Sequence, residues 1–398
     1  MLSFGVYVHI PFCRAKCAYC DFNSYAGHDS LFAPYLTALR QEMAMVSGCI
    51  LDDRVRTACD ARPASQTLYV GGGTPTVLPA QDLAGLVGDV RRALSLPEGA
   101  EITVEANPGT VEAPGLQILR QAGVNRLSLG VQSFDDRLLR LLGRIHTAEQ
   151  ARAVVHEARE AGFQNLNLDL MFGLPRLTLR GWQEALCQAI DLHPEHLSLY
   201  ALTVEEGTPL AAQIEAGTLP PPDDDLAADM YECAEDTLGQ AGYVHYEISN
   251  WALPGYACRH NLIYWRNEPY LGLGAGAHSW WGGIRRANLC GPAGYIRSVQ
   301  GGRPPVAEEE PIGADLEMGE TMMMGLRLLE EGVTSQRFGQ RFAVPLEQVY
   351  AAEIAESCEG GLLERVPREG ALERIRLTQR GHLLGNSVFA RFLPGQQG

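Results

Sequence analysis

Cys13, Cys17 and Cys20 fall in the run Cys13-Arg14-Ala15-Lys16-Cys17-Ala18-Tyr19-Cys20, directly after the apolar stretch Phe4-Gly5-Val6-Tyr7-Val8-His9-Ile10. A structural zinc site needs four ligands and usually draws them as two separated pairs, which this spacing does not offer. An iron–sulfur cluster fits better. A four-iron cluster normally takes four thiolates, so a loop with three leaves one iron free to bind something that is not protein. The competing reading is a chance cluster of buried or reactive thiols. The other cysteines (Cys49, Cys59, Cys187, Cys233, Cys258, Cys290, Cys358) are scattered singly, as in intracellular proteins that carry no disulfide framework. Lys16, the only lysine of the chain, lies inside this loop, where a compact ammonium differs from a planar guanidinium.

The elements that must position these thiols are legible as alternation. Short β runs are predicted at 4–10, 67–70, 101–105, 126–131, 165–171 and 196–202, and helices at 31–46, 80–94, 147–161 and 179–192. A polar loop is expected over 52–65. Strands alternating with amphipathic helices imply a parallel sheet with helices outside it. Six such units make an open, partial barrel, whose active residues belong at the C-terminal ends of the strands. The unusual polar and glycine residues fall at those ends: the cysteine loop, Gly71-Gly72-Gly73, Glu105-Ala106-Asn107-Pro108, Gln132-Ser133 and Asp169. Taken singly, Gly71 to Gly73 could be a turn and either carboxylate a helix cap; their convergence on one mouth carries the argument. No lysine follows the glycines at phosphate-loop spacing.

The 398 residues suffice for two or three domains. A net charge of -16 works against extended contact with nucleic-acid phosphates. No apolar run approaches a membrane span, and the start lacks a signal-peptide pattern, so a cytoplasmic protein is expected.

The C-x-x-x-C-x-x-C spacing after a first strand resembles the radical S-adenosylmethionine (SAM) superfamily, in which the open iron chelates SAM and an electron from the cluster cleaves it to a 5′-deoxyadenosyl radical. The runs Tyr7-Val8-His9-Ile10-Pro11-Phe12-Cys13, Gly71 to Thr76, Asn107-Pro108-Gly109-Thr110, Asn125 to Phe134 and Asp169-Leu170-Met171-Phe172-Gly173-Leu174-Pro175 sharpen this. They are similar to the group that holds the coproporphyrinogen dehydrogenases and the HemW haem chaperones. That resemblance implies a partial (β/α)6 TIM-like barrel, with a [4Fe–4S] cluster on Cys13, Cys17 and Cys20. Gly72, Gly73 and Thr74 would receive the methionine end of SAM with Glu105 close by. Tyr7, Gln132, Arg144 and Asp169 would bind the rest, and Tyr19 would flank the cofactor.

Within that group the oxygen-independent coproporphyrinogen III oxidases carry a further cysteine two residues after the third ligand and a longer N-terminal segment. Phe22 stands at that place here, and the sequence begins almost directly with the first strand. Both departures resemble the haem chaperones and count against radical decarboxylation, the runner-up activity. Downstream, His260-Asn261-Leu262-Ile263-Tyr264-Trp265 is similar to the haem-binding motif of the chaperones. An imidazole is a common axial iron ligand and aromatic faces suit a porphyrin. A histidine beside Tyr and Trp is also a common core arrangement. Arg259 would meet a propionate, and Cys258 and His278 are competing ligands. The partners implied are haem, recipient haem proteins, including ones at the membrane surface, and an electron donor.

Three parts are expected: the barrel at 1–218, a barrel extension with the haem motif at 219–305, and a helical, winged-helix-like α+β domain at 306–398. Leu219-Pro220-Pro221-Pro222-Asp223-Asp224-Asp225 marks the first break, before a helix at 226–241. The run 271–279 is glycine-rich but lacks the βαβ unit of a dinucleotide fingerprint. A winged-helix-like domain would also suit a redox-sensing DNA-binding regulator; the acidity and the lack of a basic stripe in its second helix argue against it.

Overall fold

The structure is a computed structural model, which describes residues 3–50, 64–368 and 371–395. Cys59 and most of the loop expected at 52–65 lie outside them.

Six βα units open the chain. Their strands are β1 (Ser3–Ile10), β2 (Ala64–Gly72), β3 (Glu101–Ala106), β4 (Arg126–Gln132), β5 (Leu166–Phe172) and β6 (His196–Ala201). They pair in parallel in that order, β1 to β6, as the central part of one twelve-stranded sheet. Helices α1 (Phe32–Ile50), α2 (Ala80–Ala93), α3 (Ala113–Gln121), α4 (Ala148–Glu160) and α5 (Leu179–Asp191) return the chain between strands. Of these, α3 was not expected; it has only nine residues, with a Pro-Gly pair of poor helix formers in its first turn. Thr147 and Gln150 cap α4 reciprocally, which sets its start.

Alternation along the strands divides the two faces. Val6, Val8, Leu68, Val70, Val104, Leu127, Leu129, Leu166, Leu168 and Leu197 point to the helices and are fully buried. The alternate positions, such as Tyr69, Glu105, Ser128, Asn167, Asp169 and Ser198, line a cavity instead. A strand buried on both faces normally reads as a continuous apolar run. The polar half of this pattern keeps the barrel interior open for a ligand.

The extension continues the same sheet at both edges. Beyond helix α6 (Asp224–Gln240), strand β7 (Val244–Glu247) forms the outer edge, pairing antiparallel with β8 (Asn250–Ala252), which pairs antiparallel with β6. Helix α7 (Arg259–Trp265) then crosses to the far edge, where β9 (Tyr270–Leu273) pairs in parallel with β1. Strands β10 (His278–Trp281), β11 (Ile284–Asn288) and β12 (Val306–Pro311) follow antiparallel. Residues 306–311, which the sequence grouped with the C-terminal part, thus belong to the main sheet.

Buried Glu42 of α1 fastens this edge: it accepts from Gly274 N (2.8 Å), Asn288 Nδ2 (2.6 Å) and Tyr295 Oη (2.6 Å). Glu42→Ala strands three donors in the core, so about 3–5 kcal/mol of stability should be lost in chemical denaturation. A change inside ~0.5 kcal/mol would show that the network is not holding the edge.

The C-terminal part has its own core, in which Met322, Leu326, Phe338, Leu346, Ile354, Ile375 and Phe392 are buried together. It comprises α8 (Ala314–Gly325), α9 (Ser335–Phe342), α10 (Leu346–Glu359), β13 (Leu363–Arg368), β14 (Ala371–Leu377) and α11 (Gln379–Leu383). Val333 and Thr334 complete a three-stranded sheet with β13 and β14. Both arginines of α9 are engaged in ion pairs. Arg337 pairs with Glu331 and Glu268, and Arg341 pairs with Glu317 and lies over the Trp280 ring. A DNA-binding helix would present such arginines to phosphate; here they fasten the domain to the barrel.

Candidate functional site

The C-terminal ends of β1 to β5 open on one cavity of about 450 Å³. Eleven residues singled out in the sequence line it: Cys13, Cys17, Cys20, Tyr19, Gly72, Gly73, Thr74, Glu105, Gln132, Arg144 and Asp169.

The cysteine loop is held from several sides. Ala18 N donates to Leu142 O (2.9 Å), Leu210 N donates to Ala18 O (2.9 Å), and Tyr25 N donates to Pro11 O (2.8 Å). Arg144 Nη1 lies 3.3 Å from Cys17 Sγ, and its Nη2 donates to Gly130 O at 2.6 Å. Cys13 Sγ is 3.6 Å from Thr74 Oγ1. Burial raises the Cys13 and Cys20 thiols, so without a cation they stay protonated. Three free, partly exposed thiols facing one cavity, with an arginine beside them, fit the donor set of the cluster.

The glycines have a steric reason. A Cβ at Gly73 would stand 2.5 Å from Phe12 O and 3.0 Å from Cys13 Sγ. Gly72 has φ +115°, and a Cβ there would meet the His9 ring at 2.5 Å. Gly72 N donates to Glu105 Oε2 at 3.0 Å, and Tyr69 Oη donates to Oε1 at 2.8 Å. Burial pushes Glu105 up to about 7, with the nearby Asp169 adding to it against the Tyr69 hydrogen bond. Asp169 accepts from Asn167 Nδ2 (2.7 Å) and Ser128 Oγ (3.3 Å), and burial raises it too. Two partly buried carboxyl groups held back from ionising suit a cationic ligand. Gln132 carries φ +65°, at a point where the β4–β5 register shifts. A non-glycine residue in the left-handed region at a strand end marks a side chain re-aimed by its backbone.

Two predicted residues are not on the cavity wall. Tyr7 sits one layer below, its hydroxyl 2.9 Å from His9 Nδ1, while His9 Nε2 donates to Asn23 O at 2.9 Å. His260 lies deeper still, near the barrel floor. It is buried, stacked on Tyr69, with Nδ1 2.7 Å from Thr67 Oγ1 and Nε2 2.9 Å from Tyr264 Oη. Burial, with Arg126 nearby, lowers its pKa to about 3. In this arrangement both ring nitrogens are occupied. Cys258 is also buried, its thiol raised to about 12 and 3.6 Å from Glu101 Oε1. His278 is exposed on β10. Arg259 is turned to Gly99 O at 3.2 Å.

Several lining residues escaped the sequence reading: Tyr69, Arg126, Ser128, Asn167, Ser198, Tyr200 and Asn261. The signal was present in all but Asn261, as polar or aromatic residues at alternate positions of otherwise apolar strands. Arg126 is buried, and its Nε has no hydrogen-bond partner among the described residues.

Fold and site together are those of a radical SAM protein, and comparison with known proteins agrees. Residues 7–186 match the Radical SAM superfamily, and residues 315–384 match the HemN C-terminal domain. The solved coproporphyrinogen III oxidase (HemN) of Escherichia coli, a radical SAM enzyme, superposes with a TM-score of 0.82 at 25% identity, covering 99% of this chain and 90% of that one. The heme chaperone HemW of Bacillus subtilis is 38% identical over 390 residues, 98% of this chain and 99% of that protein. The heme chaperone HemW of Escherichia coli is 37% identical over 403 residues, covering 98% of each. The chain belongs to the HemW family of the radical SAM superfamily.

Proposed function

We propose that this chain is a haem chaperone. It holds a [4Fe–4S] cluster on Cys13, Cys17 and Cys20 and SAM at the barrel mouth, and it carries haem to recipient haem proteins. The observation that carries this reading is the likeness to heme chaperones over 98% of the chain, at 37–38% identity. The cluster, when bound, supplies an electron to SAM from an external donor. The chain's own part is to admit the ligand backbone-close at Gly72 and Gly73, to meet its cationic groups with Glu105 and Asp169, and to line its path with Thr74, Tyr19, Gln132 and Arg144, with Tyr7 supporting from below. No helix among the described residues is long and apolar enough to cross a membrane. A cytoplasmic carrier that reaches its recipients at the membrane surface suits that observation.

Haem ligation by His260 requires α7 to open, because Tyr264 holds Nε2 and Thr67 holds Nδ1. This closed state suits a carrier: a ligand that is re-covered after release gives haem up, whereas two strong axial ligands in a sealed pocket would retain it. Tyr264→Phe removes the competing hydroxyl. One hydrogen bond is worth about 1 kcal/mol, so haem should bind about fivefold tighter. His260→Ala should lose haem with cluster iron and sulfide unchanged. Anaerobic titration followed by optical absorption checks both. If His260→Ala binds like the wild type and His278→Ala does not, the iron ligand is the exposed histidine of β10.

The likeness to HemN favours a second reading, oxidative decarboxylation of coproporphyrinogen. Phe22, 67% exposed beside the mouth, stands where those oxidases carry a further cysteine. Turnover of coproporphyrinogen III under strict anaerobiosis, with a reductant and SAM, would overturn the chaperone reading; none is expected.

A further inference from the structure

Glu235 of α6, His245 of β7 and His382 of α11 meet where the C-terminal domain rests on the barrel, away from the mouth. His382 Nδ1 is 2.7 Å and His245 Nδ1 3.1 Å from the same oxygen, Glu235 Oε1. The three side chains are 13–15% exposed.

The surroundings of the His245 ring suit a proton on Nε2. Nε2 lies 3.3 Å from Ile248 O and 3.3 Å from Tyr231 Oη, whose own proton is donated to Ile248 O at 2.9 Å. Ile248 O can only accept, so a hydrogen on Nε2 has a partner there, which leaves Nδ1 free to act as a ligand. With the proton on Nε2, Nδ1 presents its lone pair toward Glu235 Oε1 at 3.1 Å, so the two are placed to share a cation. The ring is also stacked on Trp251 at 3.8 Å and stands edge-on to His382 at 5.5 Å, which holds both imidazoles beside the one carboxylate.

We propose that Glu235, His245 and His382 bind a divalent transition-metal ion, zinc by donor set, that pins the C-terminal domain to the barrel. The three ligand atoms lie within 4.8 Å of one another, close enough for one ion at about 2.0–2.2 Å from each after small side-chain rotations. Two imidazoles and a carboxylate suit zinc, and the partial exposure admits water as the fourth ligand. The hydrogen bond from His245 Nε2 to a backbone carbonyl is the support a metal-ligating histidine usually has. The ligands come from positions 235, 245 and 382, so one ion ties segments far apart in the chain. Its donors are chemically distinct from the thiols that suit the cluster, and the site stands whether or not the chain carries haem.

The test uses the cluster-loaded full chain, incubated with zinc chloride and passed through a desalting column, with zinc, iron and sulfide quantified together. Wild type should retain about one zinc per chain and unfold several degrees higher with zinc than without. His245→Ala and His382→Ala should retain none and show no zinc response, with iron unchanged. His382→Cys, which keeps a ligand, should retain zinc; His382→Asn, which keeps only a hydrogen-bond donor to Glu235, should not. Circular dichroism establishes that the variants are folded. The site is refuted if wild type retains no zinc, if the alanine variants retain as much as wild type, or if His382→Asn keeps both the zinc and its effect on unfolding.

Discussion

Cys17→Ala, reconstituted anaerobically with iron and sulfide, should come off the column nearly colourless, its iron reduced from about four atoms per chain to a trace. The same result is expected for Cys13→Ala and Cys20→Ala. Each thiol has its own setting: Cys17 against Arg144, Cys13 against Thr74 and the Gly73 backbone, Cys20 closing the loop by donating its amide to Cys17 O at 3.3 Å. With one thiolate gone, two remain to hold a cluster that already lacks a fourth. Gly73→Ala should come close to the same loss without touching a ligand, because its Cβ would stand 3.0 Å from Cys13 Sγ and 2.5 Å from Phe12 O. Neither backbone nor loop can yield there: Thr74 N donates to Phe12 O at 2.7 Å and Gly73 N to Ile10 O at 2.9 Å. Iron and sulfide at wild-type levels in Cys17→Ala, with an unchanged visible spectrum, would place the cluster elsewhere.

Glu105→Gln should weaken SAM binding by about 10- to 100-fold, the worth of a hydrogen bond to a charged group in a buried site. The variant keeps the shape and an acceptor for Gly72 N, so a loss reports the charge. The wild-type pH profile provides the sharper check. Glu105 is held up at about 7, above its ordinary value, so its carboxyl is neutral in acid and ionises as pH rises through 7. A cationic ligand prefers the carboxylate, so SAM affinity should rise several-fold between pH 6 and 7.5, and the Gln variant should lose that slope. Stability runs the other way. In the ligand-free chain the unfolded carboxyl ionises first, so raising pH from about 4.5 through 7 costs stability, which bound SAM restores. A flat profile in wild type, or the same slope in Glu105→Gln, would remove Glu105 from the ligand's ammonium.

How far the sequence reached differs between these groups of residues for a physical reason. The cysteine loop, the glycine run and the carboxylates at strand ends are local patterns. Their chemistry depends on residue type and on where a strand stops, and strand ends follow from period-two alternation within a few residues. The six strands and the helices predicted between them therefore came close to their observed limits, and eleven site residues do share one cavity.

What depends on tertiary placement was not legible. Periodicity indicates that residues 306–311 are extended or helical only weakly, and nothing local says that they extend a sheet begun three hundred residues earlier by pairing with β11. From its neighbours alone His260 reads more readily as a core histidine than as a haem ligand, and only the resemblance to the haem chaperones favours the ligand. The decision came from β2, whose Thr67 takes one ring nitrogen and whose Tyr69 covers the face, and from Tyr264 one turn along α7. His245 and His382 are separated by more than a hundred residues and carry no motif between them. Only the docking of α11 against α6 and β7 brings them to the same oxygen of Glu235. By itself the sequence determined which thiols and carboxylates stand at the barrel mouth, because strand alternation and spacing are properties of neighbouring residues. The tertiary structure alone decided which histidines are covered and which converge, because burial and partnership are set by elements that meet only when the chain is folded.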